Sequence, residues 1–159
     1  MITLASVSRL CNETLLGQLS EVVTRDRVTT AEMLALIAEV DERKLYVPAG
    51  YAAMHLYCVH ELRLSEDSAF KRIRAARAAK RFPTIFQAVA DGRLNLSTVV
   101  LLTPHLTEQT ADDLIAASAN ATKSEVEHLL VQRFPRTELI PMIEAIPAPR
   151  SSDQVAPLR

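Results

Sequence analysis

Apolar residues recur at intervals of three and four positions along most of this chain, which is the spacing of a helix that buries one face. A first helix is predicted from Asn12, a favourable N-cap, to about Thr24. A second helix is predicted over residues 31–45, because Thr29 and Glu32 have the spacing of a capping box. Three acids of the second helix are expected to face outward: Glu39, Asp41 and Glu42.

The pattern continues as shorter helices beyond Pro48 and Gly50. A third helix is predicted over residues 51–62, and a fourth over residues 66–81 with Ser65 as its N-cap. Four more helices are predicted. The first begins at Pro83 and stops at Gly92, and the second begins at its cap Ser97 and ends before Pro104. The third is capped by Thr107 and covers 108–118, and the fourth begins at a capping box of Thr122 and Glu125 and runs to Phe134.

These elements predict an all-α fold: a multi-helix domain over residues 1–134 with a central helix-turn-helix at about 51–81. The chain has 159 residues, 48% of them hydrophobic, and only three glycines, which suits one domain of closely packed helices. Residues 135–159 carry five prolines and little to bury, so they are predicted to be a Pro-rich tail or linker. A chain that ends in such a linker is expected to be the front piece of a longer protein.

The fourth predicted helix is the strongest functional signal. Between positions 65 and 81, six cations less two carboxylates give a local charge of +4 in a chain whose net charge is −1. The second helix of a helix-turn-helix enters the major groove of DNA, with its first residues near the bases and its cations on phosphates. The candidate nucleic-acid-binding residues are Ser65 and Ser68 at the groove, and Lys71, Arg72, Arg74, Arg77, Lys80 and Arg81 on phosphates. At 100° per residue, a stripe of Lys71, Arg74, Arg77 and Arg81 is expected opposite Ala69, Ile73 and Ala76.

Two alternatives remain open for this helix and its neighbours. Glu66 and Asp67 at its start weaken base readout unless they accept hydrogen bonds from cytosine, and the cations could belong to a solvated face. The chain could instead be a helical protein-interaction or dimerisation module, in which acidic residues 32–42 and the apolar helix faces meet a partner. The apolar positions of the first helix, between Leu15 and Val23, fit either a core or a homodimer interface.

No catalytic, metal or cofactor site is predicted. Glu125 and His128 form one Glu-x-x-His pair, whereas a di-metal bundle uses two. Cys11 and Cys58 are too few and too far apart for a disulfide framework or a zinc site, so free thiols in a reducing cytoplasm are expected. The glycines are too scattered for a phosphate-binding loop. We expect neither a signal peptide nor a membrane partner, because no segment approaches ~18 uninterrupted apolar residues.

Two resemblances cover most of the chain. The Leu-Ser start of the basic helix, the Pro-led helix and the Gly-x-Leu turn that follow it, and SEVE at 124–127 resemble the central helical domain of ParB-type partition proteins over about residues 64–130. Residues 34–135 are similar to the N-terminal region of bacterial HNH-endonuclease-like proteins. That likeness rests on VDERKLYVPAGY at 40–51, RFP at 81–83 and LTPHLT at 102–107.

The resemblance implies a DNA-binding or targeting domain, with RNA as the alternative nucleic acid, joined through a Pro-rich linker to a C-terminal nuclease module. An HNH site needs a metal-binding histidine, a histidine general base and usually paired cysteines on a ββα unit. The chain has no paired cysteines and no histidine pair in such a context. We therefore expect a non-catalytic domain without a cofactor.

Overall fold

The computed structural model describes residues 4–135, and every regular element in that range is helical, which confirms the all-α prediction there. The predicted tail lies outside the described residues from position 136 onward. The helices are α1 (Leu4–Val7), α2 (Asn12–Glu42), α3 (Met54–His60), α4 (Glu66–Arg81), α5 (Thr84–Ala90), α6 (Leu96–Leu102), α7 (Ala111–Ala117) and α8 (Lys123–Arg133), with a 3-10 turn at Thr103–His105. No helix in the described part of the chain is both long and apolar enough to cross a membrane.

The first two predicted helices are a single helix, α2, of 31 residues. The prediction of a break near Thr24 is wrong because neither proline nor glycine lies between the two segments. The Thr24 hydroxyl donates to the Ser20 carbonyl oxygen at 2.9 Å, one turn back, which is compatible with an uninterrupted helix. Thr29 is therefore a residue within the helix, and the N-cap is Cys11 rather than Asn12.

Helix α4 lies at the centre of the domain and packs against α2, α3, α5 and α6. Its buried residues are mostly small: Ala69, Ile73, Ala75, Ala76, Ala78 and Ala79. Short alanine side chains let neighbouring helices approach closely, so the alanine-rich composition of this segment serves tertiary packing. The predicted burial of Ala69, Ile73 and Ala76 is confirmed, and the buried surface extends further round the helix than predicted.

Several helix ends follow from side chains that bond to their own backbone. Ser65 Oγ accepts from the Ser68 N–H at 3.2 Å, and Thr122 and Glu125 form a reciprocal capping box, as predicted. Gly92 follows α5 with a φ of 76°, a left-handed conformation that favours glycine.

Two further predicted caps, and the predicted length of the third helix, are also wrong. The N-cap of α6 is Asn95, whose Oδ1 accepts from the Thr98 N–H at 2.9 Å, and Ser97 lies inside the helix. Helix α7 starts only at Ala111, because Thr107 Oγ1 accepts from the Thr110 N–H at 3.2 Å and holds a turn ahead of the helix. The third helix is shorter than predicted, Met54–His60 instead of 51–62.

The second half of α2 contributes four buried residues to the hydrophobic core: Ala31, Leu34, Ile37 and Ala38. Leu34 is fully buried there, in the same core cluster as the large side chains Ile85, Leu102 and Leu114 from later helices. The first half of α2 contributes nothing to this core, because every residue from Cys11 to Thr29 is exposed. Helix α2 therefore extends well beyond the body of the domain.

Candidate nucleic-acid interface

The start of α4 is held next to α3 by the short connection at residues 61–65. Arg63 has a φ of 56°, and the Leu64 N–H then donates to the Cys58 carbonyl oxygen at 3.1 Å. Tyr51 Oη donates to the Glu61 carboxylate at 2.8 Å, which ties the loop before α3 to its end. These bonds hold the connection on the end of α3 and leave Ser65 and Glu66 at the surface.

Arg77, one of the predicted phosphate ligands, is bound to α2. Its Nε and Nη2 donate to the two carboxylate oxygens of Asp41 at 2.7 and 3.2 Å. The Asp41 side chain is only 16% exposed, whereas that of Arg77 is 62% exposed. The hydrogen bond from Arg77 to Asp41 raises the pKa of the guanidinium. The expectation that Asp41 faces outward is wrong, because α2 turns this carboxylate toward α4.

Two lysines of α4 are also paired with acids. Lys71 Nζ lies 2.7 Å from the carboxylate of Asp67, one turn earlier in the same helix. Lys80 Nζ lies 3.4 Å from Glu39 and 3.6 Å from Glu42, both on α2. Hydrogen bonds from Arg43 and Lys80 lower the pKa of Glu39. Half of the six candidate cations thus have a carboxylate within ion-pair distance.

Arg72 lies on a different side of the helix from Arg74 and Arg81. It is two residues, or about 200°, from Arg74 around the helix. Its Nη1 donates to Ser68 Oγ, and its Nε is buried without a hydrogen-bond partner among residues 4–135. Arg72 lines a cleft of about 680 Å³ together with Arg27 of α2 and Lys123 of α8.

Gly92 lies beside the Arg27 guanidinium in that cleft. A Cβ at Gly92 would lie 2.5 Å from Nη1 of Arg27, so the arginine side chain would have to shift if Gly92 were replaced. Asp26 adds one carboxylate to the lining. The cleft was not apparent in the sequence, since its cations come from three helices that are far apart along the chain.

Arg74, which is half-buried, and Arg81, which is exposed, form no ion pair within the described residues. Each stacks on an aromatic ring: Cζ of Arg74 lies 5.4 Å from the centroid of Phe70, and Cζ of Arg81 lies 5.1 Å from that of Phe82. The two arginines are seven residues apart and so share one side of the helix. Phe70, beside Arg74, is 49% exposed. We call the side of α4 that carries Arg74 and Arg81 its outer face.

The two candidate serines have local partners. Ser65 Oγ caps the helix, and Ser68 Oγ accepts from Arg72. The structure therefore separates the eight predicted residues into a capped N-terminus, an outer face, a set paired with acids and a buried-side arginine. The missed element was α2: its acids Glu39, Asp41 and Glu42 were visible in the sequence, but their direction was not.

The histidine of the Glu-x-x-His pair has a local partner: His128 Nε2 lies 3.0 Å from the Gln132 side-chain amide. His105 stacks on Phe134 with 4.5 Å between ring centroids. Within residues 4–135, no group of three or more histidine, cysteine or acidic side chains is placed to hold a metal ion.

Comparison of the chain with protein-family models, with curated proteins and with solved structures finds no match.

Proposed function

We propose that this chain is a non-catalytic DNA-binding domain, in which α3 and α4 act as a helix-turn-helix and α4 presents its outer face to the phosphate backbone. The observation that carries the proposal is the state of Arg74 and Arg81. Both lie on one side of α4 and neither has a carboxylate partner among residues 4–135, so binding a phosphate would break no ion pair there. The resemblance to HNH-endonuclease-like proteins supports a targeting role for such a domain.

The paired cations have a different part in this proposal. Arg77 and Lys80 hold α4 against α2, and a phosphate would have to compete with Asp41, Glu39 and Glu42 for them. Lys71 has a weaker hold, because its partner Asp67 is 71% exposed and the pair is screened by solvent. We therefore assign phosphate contact to Arg74 and Arg81 first, and to Lys71 second.

The N-terminus of α4 would lie nearest the bases. Ser65 and Ser68 each keep a hydroxyl hydrogen to donate, although their oxygens already accept one bond. Glu66 and Asp67 beside them repel phosphates, so base contacts there would be few. Binding is expected to depend more on salt than on base sequence.

The test compares two double variants of equal charge. Arg74→Ala/Arg81→Ala removes the outer-face cations, and Arg93→Ala/Arg133→Ala removes two arginines that pair with Asp91 and Asp113 elsewhere. Each protein is titrated into labelled duplex DNA at several salt concentrations, with circular dichroism to check folding. The slope of log affinity against log salt should become less negative by about 1 to 2 in the first variant and stay unchanged in the second.

Two results would overturn the proposal. The first is absence of wild-type binding at low salt, and the second is equal weakening by both variants, which would mean that only net charge matters. A parallel titration with duplex RNA and single-stranded DNA identifies the preferred nucleic acid. Tighter binding of RNA than of duplex DNA would replace DNA as the proposed ligand.

A further inference from the structure

The first half of α2 buries no residue, and only its last turn, with Asp26 and Arg27, lines the cleft beside Gly92 in the described structure. We call residues 12–29 the α2 arm; all of them are exposed. The arm nevertheless carries large apolar side chains, with Leu16 67% exposed and Leu19 59% exposed. A single helix of this length is only marginally stable in water, so an uncovered apolar face is costly both to solubility and to helix stability.

The apolar face of the arm is symmetric in sequence about Leu19. Leucines lie three and four residues before it, at Leu16 and Leu15, and valines lie three and four residues after it, at Val22 and Val23. The polar residues Asn12 and Asp26 lie on the same face, seven residues before and after Leu19. The pattern therefore reads the same in both directions: polar, two apolar, Leu19, two apolar, polar.

A second copy of the arm, laid antiparallel with its Leu19 against Leu19, matches this pattern position by position. Leu15 meets Val23 of the second copy, and Leu16 meets Val22 of the second copy. At the two ends, Asn12 meets Asp26 of the second copy, which pairs an amide with a carboxylate. A parallel arrangement would instead place the two Asp26 carboxylates side by side, where like charges repel.

The flanks of the antiparallel pair are also complementary in charge. Glu13 and Arg27 lie on the same flank of the apolar face. Around the Leu19 axis, Glu13 of one copy comes within about one helical turn of Arg27 of the other. In this arrangement the two domain bodies lie toward opposite ends of the paired arms.

We propose that the partner of the α2 arm is a second copy of this chain, and that the protein forms an antiparallel homodimer through residues 12–26. This inference does not rest on the proposed function of α4, because it uses another helix and another kind of contact. The apolar contact is one helix wide and about 21 Å long, from Asn12 to Asp26, so the dimer should dissociate on dilution.

The first experiment measures mass in solution as a function of concentration. Sedimentation equilibrium of the wild type should show reversible association to twice the 17.6 kDa of one chain. Leu19→Lys places two cations against each other at the axis and should raise the dimer dissociation constant by about 100-fold. Leu36→Lys is the matched control, since Leu36 lies on the same helix outside the arm and is 68% exposed.

Three results would overturn the proposal: a wild type that stays monomeric throughout, a wild type that goes beyond a dimer, or a Leu19→Lys protein that associates as well as the wild type. Circular dichroism and urea unfolding of both variants show whether the domain body remains folded. The arm lies outside the core, so Leu19→Lys should leave the unfolding of the body in the wild-type range.

The second experiment tests the orientation by cysteine pairing, on a Cys11→Ser background because Cys11 is exposed and Cys58 is buried. Antiparallel arms bring position 15 of one copy to position 23 of the other. An oxidised mixture of Leu15→Cys and Val23→Cys proteins should form a covalent heterodimer, and either protein alone should form much less. If Leu15→Cys alone crosslinks faster than the mixture, the arms are parallel and the proposal is wrong.

Discussion

The ion pair of Arg77 and Asp41 gives a direct test of what stabilises the packing of α4 against α2. Arg77→Ala removes two hydrogen bonds, at 2.7 and 3.2 Å, and leaves the mostly buried Asp41 carboxylate without its guanidinium. Asp41→Ala removes the carboxylate and leaves Arg77 at the surface, where water can solvate it. We therefore expect Arg77→Ala to cost more than Asp41→Ala.

The magnitude follows from the exposure of the two partners. Fully exposed ion pairs contribute about 0.2–1 kcal/mol, and breaking a fully buried pair costs about 3–5 kcal/mol. Asp41 is 16% exposed but opens into a small surface cavity of about 250 Å³, and Arg77 is 62% exposed, so solvent screens the pair strongly. We expect Arg77→Ala to lower the free energy of unfolding by about 1–2 kcal/mol, with a coupling energy of about 1 kcal/mol between the two residues.

The assay is a double-mutant cycle by urea unfolding: wild type, Arg77→Ala, Asp41→Ala and the double variant. Repeating it in about 1 M salt should weaken the coupling, because the Debye length falls to about 3 Å. Arg74→Ala is the control on the same helix and should change stability by less than about 0.5 kcal/mol. A coupling energy near zero, or an equal loss of unfolding free energy in Arg74→Ala, would refute the view that the pair of Arg77 and Asp41 holds α4 against α2.

Three further predictions concern other parts of the fold. Leu34→Ala leaves a cavity at a fully buried site and should lower the free energy of unfolding, measured by urea denaturation, by about 2–5 kcal/mol. A loss below about 1 kcal/mol would contradict the burial of Leu34 in the core. Hydrogen bonds from Thr122 lower the pKa of Glu125 from its ordinary 4.5. The stability that the Glu125 carboxylate contributes is therefore complete above about pH 4.5 and is lost as the pH falls through the lower folded-state pKa. Glu125→Gln should keep the cap, so the unfolding free energy of this variant, relative to that of the wild type, should rise as the pH falls from 5 to about 3. Burial raises the pKa of the Cys58 thiol, whereas a hydrogen bond from the Thr14 hydroxyl lowers the pKa of the exposed Cys11 thiol. Iodoacetamide should therefore label Cys11 at least ~100-fold faster than Cys58, as measured by peptide mass spectrometry. Equal labelling rates would show that Cys58 is accessible.

Local features of the chain predicted much of the fold. Ser65 and the pair of Thr122 and Glu125 bond to backbone groups three residues away, so their effect does not depend on any other element. The bounds of α4 and the stop at Gly92 were predictable for the same reason. Where two residues compete for a cap, as Asn95 and Ser97 do, the local signal is ambiguous, and in the structure the cap is Asn95.

The candidate site was less predictable than the helix that carries it. The sequence by itself determined that α4 carries six cations among many alanines, because the composition and the 100° rotation per residue are enough to place these residues around the helix. Only the tertiary structure decided that Arg77 and Lys80 meet acids 36 to 41 positions earlier, while Arg74 and Arg81 meet none in the described residues. The physical reason is that an ion pair across two helices depends on how each helix is rotated in the packed core, which the pattern along one helix does not specify. The same reason applies to the α2 arm, whose apolar face is plain in the sequence and whose exposure follows from where the body of the domain ends.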